Sequence, residues 1–331
     1  VTPNLVGGQT ELRDPPLRLL AEARQGDAMK VAVIGLGSMG MGVAASLLRG
    51  GHAVTGFDVR PDARATLAGL GGVPGDTPAA AARGAEVAIV LVVNAAQVDA
   101  ALFGPDGAAA AMPRDAVVVQ SATVPPDYPA QLGEKLSATG LRLIDAPVSG
   151  GAVGAQSGKL TLMASGAPDA FATCEPVFAS IAAKVYRLGD TPGTGSQVKL
   201  VNQLLAGAHI AVAAEAMALA IRLGADPRAV YEVITNSAGG SWMFQNRMAH
   251  VLDNDYTPRS AVNIFVKDLG IVLDTARKNL FPTPMAATAH QLFTMAAAHG
   301  LGAEDDSAVI KVFQALAGID LPAGPASSAD S

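Results

Sequence analysis

Cysteine is nearly absent from this chain: Cys174 is the sole one in 331 residues. No intrachain disulfide can form, which fits a reducing cytosol. Charge is scarce as well. Asp, Glu, Lys and Arg make up 16% of the residues, and 23 basic against 29 acidic side chains leave a formal charge of −6. That balance argues against a surface built for nucleic acid or an anionic membrane. His209, His250, His290 and His299 lack metal-ligand spacing, so no metal site is predicted. No G-x-S-x-G and no local Cys–His pairing points to acyl transfer. An uninterrupted apolar leader is missing too. Residues 1–28 carry Pro3, Glu11, Asp14, Pro15, Pro16, Glu22 and Asp27, which is not a signal-peptide pattern. The longest apolar stretch, 204–221, includes His209 and Glu215 and is dominated by alanine. It reads as a helix buried in protein rather than a lipid-facing span.

What is present is apolar. Half of the residues are hydrophobic, which excludes a mostly disordered chain and suffices for two domains of ordinary size. The texture changes abruptly at Met29-Lys30, where a strand begins. Met29 is expected to be the natural start, with 1–28 a poorly ordered extension containing a short helix at 17–25. Strand-like runs fall at 30–35, 53–58, 87–93, 116–120, 141–146, 160–165 and 184–188. Helical stretches at 39–49, 61–67, 95–102, 128–139 and 169–181 separate most of them. This alternation predicts an α/β Rossmann-type fold, a doubly wound and mainly parallel sheet. After Gly193 the strand pattern stops. A long helix over 194–223 ends at Gly224-Ala225-Asp226-Pro227, with Asp226 as the next N-cap and Pro227 in the first turn. Helical periods continue through 227–237, 263–280, 284–299 and 305–317. The expected organisation is a dinucleotide-binding domain over 29–192, a helical domain over 193–320 and a tail over 321–331.

Gly35-Leu36-Gly37-Ser38-Met39-Gly40 fits G-x-G-x-x-G between a strand and a helix, the context its chemistry requires. Gly35 permits the turn, Gly37 lets backbone approach a pyrophosphate, and Gly40 lets helix and strand pack closely. The helix N-terminus then aims free N–H groups at the anion. Asp58, at the end of the second strand, stands where a carboxylate takes the ribose hydroxyls and repels a 2′-phosphate, so it favours NAD. Arg60 reads as a solvated surface cation. Val92 and Val93, at the end of the strand over 87–93, are placed to line the dinucleotide or to fill the strand core. Thr123 either offers its hydroxyl to the cofactor or caps a helix opened by Pro125.

Ser149-Gly150-Gly151 follows another strand end. A hydroxyl beside closely spaced backbone N–H groups suits a small carboxylate. Lys199 lies near the start of the long helix with apolar residues at 200, 201, 204 and 205. Desolvation there lowers a lysine toward the working range of a general base. Asn202 and Gln203, about one turn on, share its face. Phe265-Val266-Lys267-Asp268-Leu269 offers a second helical lysine, Lys267.

VIGLGSMG at 33–40, DAPVSGG at 145–151, GSQVKLVNQ at 195–203 and FVKDLG at 265–270 occur in this order. Together they resemble the β-hydroxyacid dehydrogenases, the group of 3-hydroxyisobutyrate dehydrogenase and tartronate semialdehyde reductase, over about residues 30–318. The resemblance implies NAD as cofactor and a cleft site between a Rossmann-type domain and a helical domain. It places Lys199 as the catalytic lysine, with Asn202 orienting it or the substrate hydroxyl. Ser149, Gly150 and Gly151 fall at the substrate carboxylate, Thr123 at a cofactor contact, and Lys267 where a lysine closes over cofactor and substrate. The family often has two asparagines after the lysine; here the second is Gln203, expected to touch substrate. That pair, with SWMFQNR at 241–247 and DNDYTPRSAV at 253–262, resembles the subgroup that oxidises L-threonate.

The expected reaction is oxidation of a small hydroxy acid. The alternatives are 3-hydroxyisobutyrate or tartronate semialdehyde as substrate, imine reduction on the same fold, and a non-catalytic dinucleotide-binding module. The last two fit poorly with Lys199, Ser149 and Lys267 all present. The family also implies a cytoplasmic homodimer or homotetramer. Neither nucleic acid nor membrane is an expected partner.

Overall fold

The computed structural model describes residues 28–324. The expected extension before Ala28, with its short helix, and most of the tail lie outside the described residues. Strands β1 (Lys30–Ile34), β2 (Ala53–Phe57), β3 (Val73–Pro74), β4 (Val87–Val90), β5 (Val117–Gln120) and β6 (Arg142–Asp145) pair in parallel in the order β3-β2-β1-β4-β5-β6. Helices α1 (Ser38–Arg49), α2 (Pro61–Gly69), α3 (Pro78–Ala82), α4 (Ala95–Phe103) and α5 (Tyr128–Ala138) make the crossovers. The order reverses between β1 and β4, the switch point at whose carboxyl ends ligands bind in open α/β sheets. Short strand β7 (Val148–Ser149) and helix α6 (Gly151–Ser157) precede β8 (Leu160–Gly166), which is antiparallel to β6 and β7. Helix α7 (Pro168–Ile181) then leads to β9 (Ala182–Arg187), parallel to β8.

The central strands are apolar throughout because both faces are covered. Val31, Val33, Ile89, Val117 and Ile144 pack under α1 and α7, while Ala32, Ile34, Ala88, Val90 and Val118 pack under α3, α4 and α5. The strand expected over 87–93 stops at Val90. Leu91 still donates to Ile34 O at 2.8 Å, but β1 has reached its glycine turn and offers nothing further. Asn94 then caps α4, its Oδ1 accepting from Gln97 N at 2.9 Å.

The second half is helical among the described residues: α8 (Thr194–Arg222), α9 (Pro227–Thr235), α10 (Trp242–Leu252), α11 (Val262–Lys278), α12 (Pro284–Ala296) and α13 (Ile310–Ala317). Helix α8 is long and apolar enough to cross a membrane. Its buried face, from Ala206 through Ala218, is instead packed by α10, α11, α12 and α13. Helix α10 is not among the helices expected from the sequence pattern. Ser241 caps it, accepting from Phe244 N at 3.0 Å, and Phe244, Met248, Val251 and Leu252 form its buried stripe. The helix expected over 305–317 is a 3₁₀ turn, Asp306–Val309, followed by α13. Asp305 and Asp306 are fully buried and hold His250 and Arg247, so that turn is shaped by an Arg247–Asp306 ion pair and a His250–Asp305 hydrogen bond across the fold.

Candidate active site

The glycine loop after β1 separates two requirements. Gly35 has φ +96°, and a Cβ there would lie 2.5 Å from Leu91 O and 3.2 Å from Val92 Cγ1. A Cβ on Gly40 would run into the carbonyl oxygen of Gly35. Both glycines are demanded by the folded chain itself. Gly37 is different: its φ of −67° and ψ of −172° suit any residue, and a Cβ would meet nothing within 4 Å. It is the N-cap of α1, and no side chain caps that helix. Open space in front of uncapped N–H groups, kept clear by a glycine the fold does not need, fits a dinucleotide pyrophosphate. Within the same motif Leu36 is a core side chain, Met39 packs against the core, and Ser38 is exposed.

Asp58 follows β2 directly. Its Oδ2 accepts Leu36 N at 2.8 Å and its Oδ1 accepts Arg60 N at 2.9 Å, with the Arg60 guanidinium 3.3 Å away. Partial burial opposes the charge, but these bonds outweigh it and hold the carboxyl below its usual range. Arg60 is therefore an ion-pair partner that also donates to Leu36 O at 3.3 Å, rather than a purely solvated cation. Val92 is half-buried beside Gly35, and Val93 is exposed past the strand end.

Across the sheet, Ser149 ends β7 opposite Thr161. Gly150 and Gly151 follow at φ +125° and +63°, and Gly150 is the N-cap of α6. The helix that follows, α6, sits against α1. A Cβ on Gly42 of α1 would lie 2.8 Å from Ala155 Cβ, and Ser46 Oγ donates to Ala155 O at 2.7 Å. The glycine loop and the Ser149 loop thus open onto two helices, α1 and α6, in direct contact.

Buried Asp145 fixes the start of α8. Its Oδ2 accepts Ser196 N at 2.8 Å and Gly193 N at 3.2 Å, and its Oδ1 accepts Ser196 Oγ at 2.7 Å. Burial pushes this carboxyl up to about 6, against the hydrogen bonds from Ser196, Gly193 and Ser165. One turn into α8, Lys199 is 7% exposed and donates from Nζ to Val148 O at 2.9 Å, the residue before Ser149. Burial pushes its ammonium down to about 8; the Asp268 carboxylate opposes this shift and the Lys267 ammonium adds to it. Lys267 Nζ donates to Thr123 O at 3.2 Å and pairs with Asp268. The carbonyl of Thr123 is thus engaged by α11. Thr123 caps no helix, since α5 begins at Tyr128 with Asp127 as its N-cap.

Lys199 is thus bonded to the backbone beside Ser149 and Lys267 to the backbone of Thr123, and the Lys267–Asp268 pair is near enough to act on Lys199, although these residues are far apart in the chain. Gln203 reaches Asp268 rather than standing free: its Nε2 lies 2.5 Å from Asp268 Oδ2. Asp268 and Asp145 are site residues that sequence reasoning does not single out. Asp268 shares a helical stripe with Phe265, Leu269 and Val272, so its burial is readable in the periodicity. Among the described residues no cluster of three His, Cys, Asp or Glu side chains could hold a metal.

Comparison with known proteins agrees with this geometry. Residues 30–189 match the family model described as the NAD binding domain of 6-phosphogluconate dehydrogenase, and residues 193–313 match that of NADP-dependent 3-hydroxyisobutyrate dehydrogenase. The chain is 58% identical over 292 residues to an L-threonate dehydrogenase of Cupriavidus necator, covering 88% of this chain and 97% of that one. It is 51% identical over 301 residues to an L-threonate dehydrogenase of Escherichia coli strain K12, covering 90% and 98%. A crystal structure described as 3-hydroxyisobutyrate dehydrogenase from Salmonella typhimurium matches with a TM-score of 0.82 at 51% identity, over 86% of this chain and 99% of that one. The chain belongs to the 3-hydroxyisobutyrate dehydrogenase-like family of NAD-dependent hydroxyacid dehydrogenases.

Proposed function

We propose that this enzyme oxidises L-threonate with NAD to the 2-keto acid, 2-dehydro-L-erythronate. The observation that carries the reading is Lys199: a buried amine, lowered toward neutrality, 2.9 Å from the backbone of the Ser149 loop. Identity above one half, over nearly the whole chain, to two relatives named for L-threonate supports that substrate over 3-hydroxyisobutyrate. Gly35, Gly37, Ser38 and Gly40 hold the dinucleotide, with the backbone of Leu36 and Met39 beside them. Asp58 takes the ribose hydroxyls and disfavours a 2′-phosphate, and Val92, Val93, Thr123 and Lys267 line the remainder. Bound NAD supplies the hydride acceptor. Ser149 and the N–H groups of Gly150 and Gly151 hold the substrate carboxylate. Neutral Lys199 accepts the proton of the reacting hydroxyl as its carbon becomes a carbonyl, and Asn202 orients that pair. In the reverse direction the Lys199 ammonium returns the proton.

The pH dependence tests this directly. Oxidation needs neutral Lys199, so kcat/KM for L-threonate should rise with pH and level off above about 8, while kcat/KM for reduction should fall through the same region. Flat profiles would remove Lys199 from proton transfer. Absence of NADH formation from L-threonate at every pH would remove the substrate.

The reading includes a Rossmann-type domain over 29–192, a helical domain over 193–320 and a cytoplasmic homo-oligomer, dimer or tetramer. Val198, Val201, Leu205, Val212 and Leu219 form an exposed apolar stripe along α8, and Leu223 continues it. Such a stripe suits a second copy of the chain. A sedimentation mass of 33.3 kDa would contradict it.

A further inference from the structure

Four side chains form one hydrogen-bonded line between α8 and α11. Asn202 Nδ2 donates to Gln203 Oε1 at 2.9 Å, and Gln203 Nε2 donates to Asp268 Oδ2 at 2.5 Å. The other oxygen of Asp268 meets Lys267 Nζ. The helices come close enough for this because Gly207, one turn beyond Gln203, lacks a side chain; a Cβ there would lie 2.9 Å from Leu269 Cδ1. Gln203 is 7% exposed and Asp268 1%.

The chemistry of this line gives it a direction. A carboxylate only accepts hydrogen bonds, so Asp268 obliges Gln203 to turn its NH₂ inward. The amide oxygen of Gln203 then faces the other way and takes a donor, which the NH₂ of Asn202 supplies. Asn202 is thereby turned so that its Oδ1 is left without a partner among the described residues. An amide orientation that is otherwise arbitrary is set by a buried charge two residues along the line.

We propose that Gln203 and Asp268 are positioning residues that hold Asn202 with its Oδ1 toward the substrate, where it accepts a hydrogen bond from a second hydroxyl, on the carbon next to the reacting one. This rests on the sugar-acid reading above. It gives Gln203 a role one step removed from direct substrate contact. It also separates a sugar acid from simple hydroxy acids: a site that accepts from a hydroxyl leaves its own group unpaired when that hydroxyl is missing.

The test compares L-threonate with its 3-deoxy analogue, 2,4-dihydroxybutanoate, by the ratio of their kcat/KM values with NAD. In the wild-type enzyme L-threonate should be favoured by at least tenfold. Asp268→Asn removes the fixed direction of the line, and Gln203→Met removes its middle while keeping the volume. Each should narrow the ratio at least tenfold, L-threonate losing far more than the analogue. A merely structural loosening would lower both substrates together and leave the ratio intact; that result overturns the proposal. Gln203→Met answers the question if Asp268→Asn does not fold. A wild-type ratio near one overturns the proposal together with the sugar-acid reading. A high wild-type ratio retained by folded variants overturns the positioning role alone.

Discussion

Lys199→Ala is expected to lower kcat for L-threonate oxidation by 10²- to 10⁴-fold, the usual range of a general acid–base group, or about 3–5 kcal/mol in the barrier. Affinity for NAD should stay within threefold, because the hydrogen bond of Lys199 goes to Val148 O and not to the glycine loop. Lys199→Arg should be similarly impaired. A guanidinium stays protonated and cannot take the hydroxyl proton. The fold should tolerate the alanine. The change leaves Val148 O without a side-chain donor, which costs about 1–3 kcal/mol, but it also removes a buried amine. Steady-state rates with a thermal melt and an NADH titration separate these effects. Turnover within fivefold of wild type would show that another group moves the proton.

Gly37→Val is expected to weaken NAD binding at least 100-fold, about 2.7 kcal/mol, while leaving the protein folded. The reason lies in what the glycine is for. At φ −67°, with nothing within 4 Å of where a Cβ would stand, the fold itself has no use for the missing side chain. The isopropyl group would stand over the uncapped N-terminus of α1 and exclude a pyrophosphate. A valine is a poorer N-cap than glycine, so a loss of up to about 1 kcal/mol in stability is expected. Gly40→Ala supplies the contrast: its Cβ runs into Gly35 O, so it should damage the loop itself. Calorimetric titration of NAD into Gly37→Val, with its melting curve, decides the matter. Retained binding would show that the dinucleotide does not lie over this turn. A collapse in stability would show that Gly37 is structural.

Much of the cofactor half is legible in the sequence because local pattern and function coincide there. Apolar runs of about 4–7 residues broken by Gly are buried parallel strands, and the first such run carries its glycine fingerprint on the turn that follows. Strands β3 and β7, two residues each, leave no periodic signal. The antiparallel pairing of β8 with β6 is a long-range choice that alternation cannot announce. Helix α10 is obscured by Gln245, Asn246 and Arg247, although Ser241 and the stripe at 244, 248 and 251 carry the signal.

The site shows the same division. The sequence assigns the burial of Lys199 to its apolar neighbours on the helix, yet Val201 is 59% and Leu205 49% exposed. Its burial comes instead from the β7 loop, 51 residues away in the chain, and from the still more distant α11, contacts that no helical wheel contains. Gln203 is expected to touch substrate because it follows Asn202. Its partner, Asp268, lies 65 residues away on α11 and turns it inward. Residue types announce the chemistry here, and tertiary contacts decide the role of each group.

Initial rates of NADH formation test the substrate and the cofactor at once. The measurement uses the full chain with NAD and L-threonate, D-threonate, D-erythronate, 3-hydroxyisobutyrate and glycerate in parallel. L-threonate should give the highest kcat/KM. A higher value for 3-hydroxyisobutyrate or glycerate would contradict the substrate, and binding of NADH with turnover of none of the five would contradict the proposed reaction.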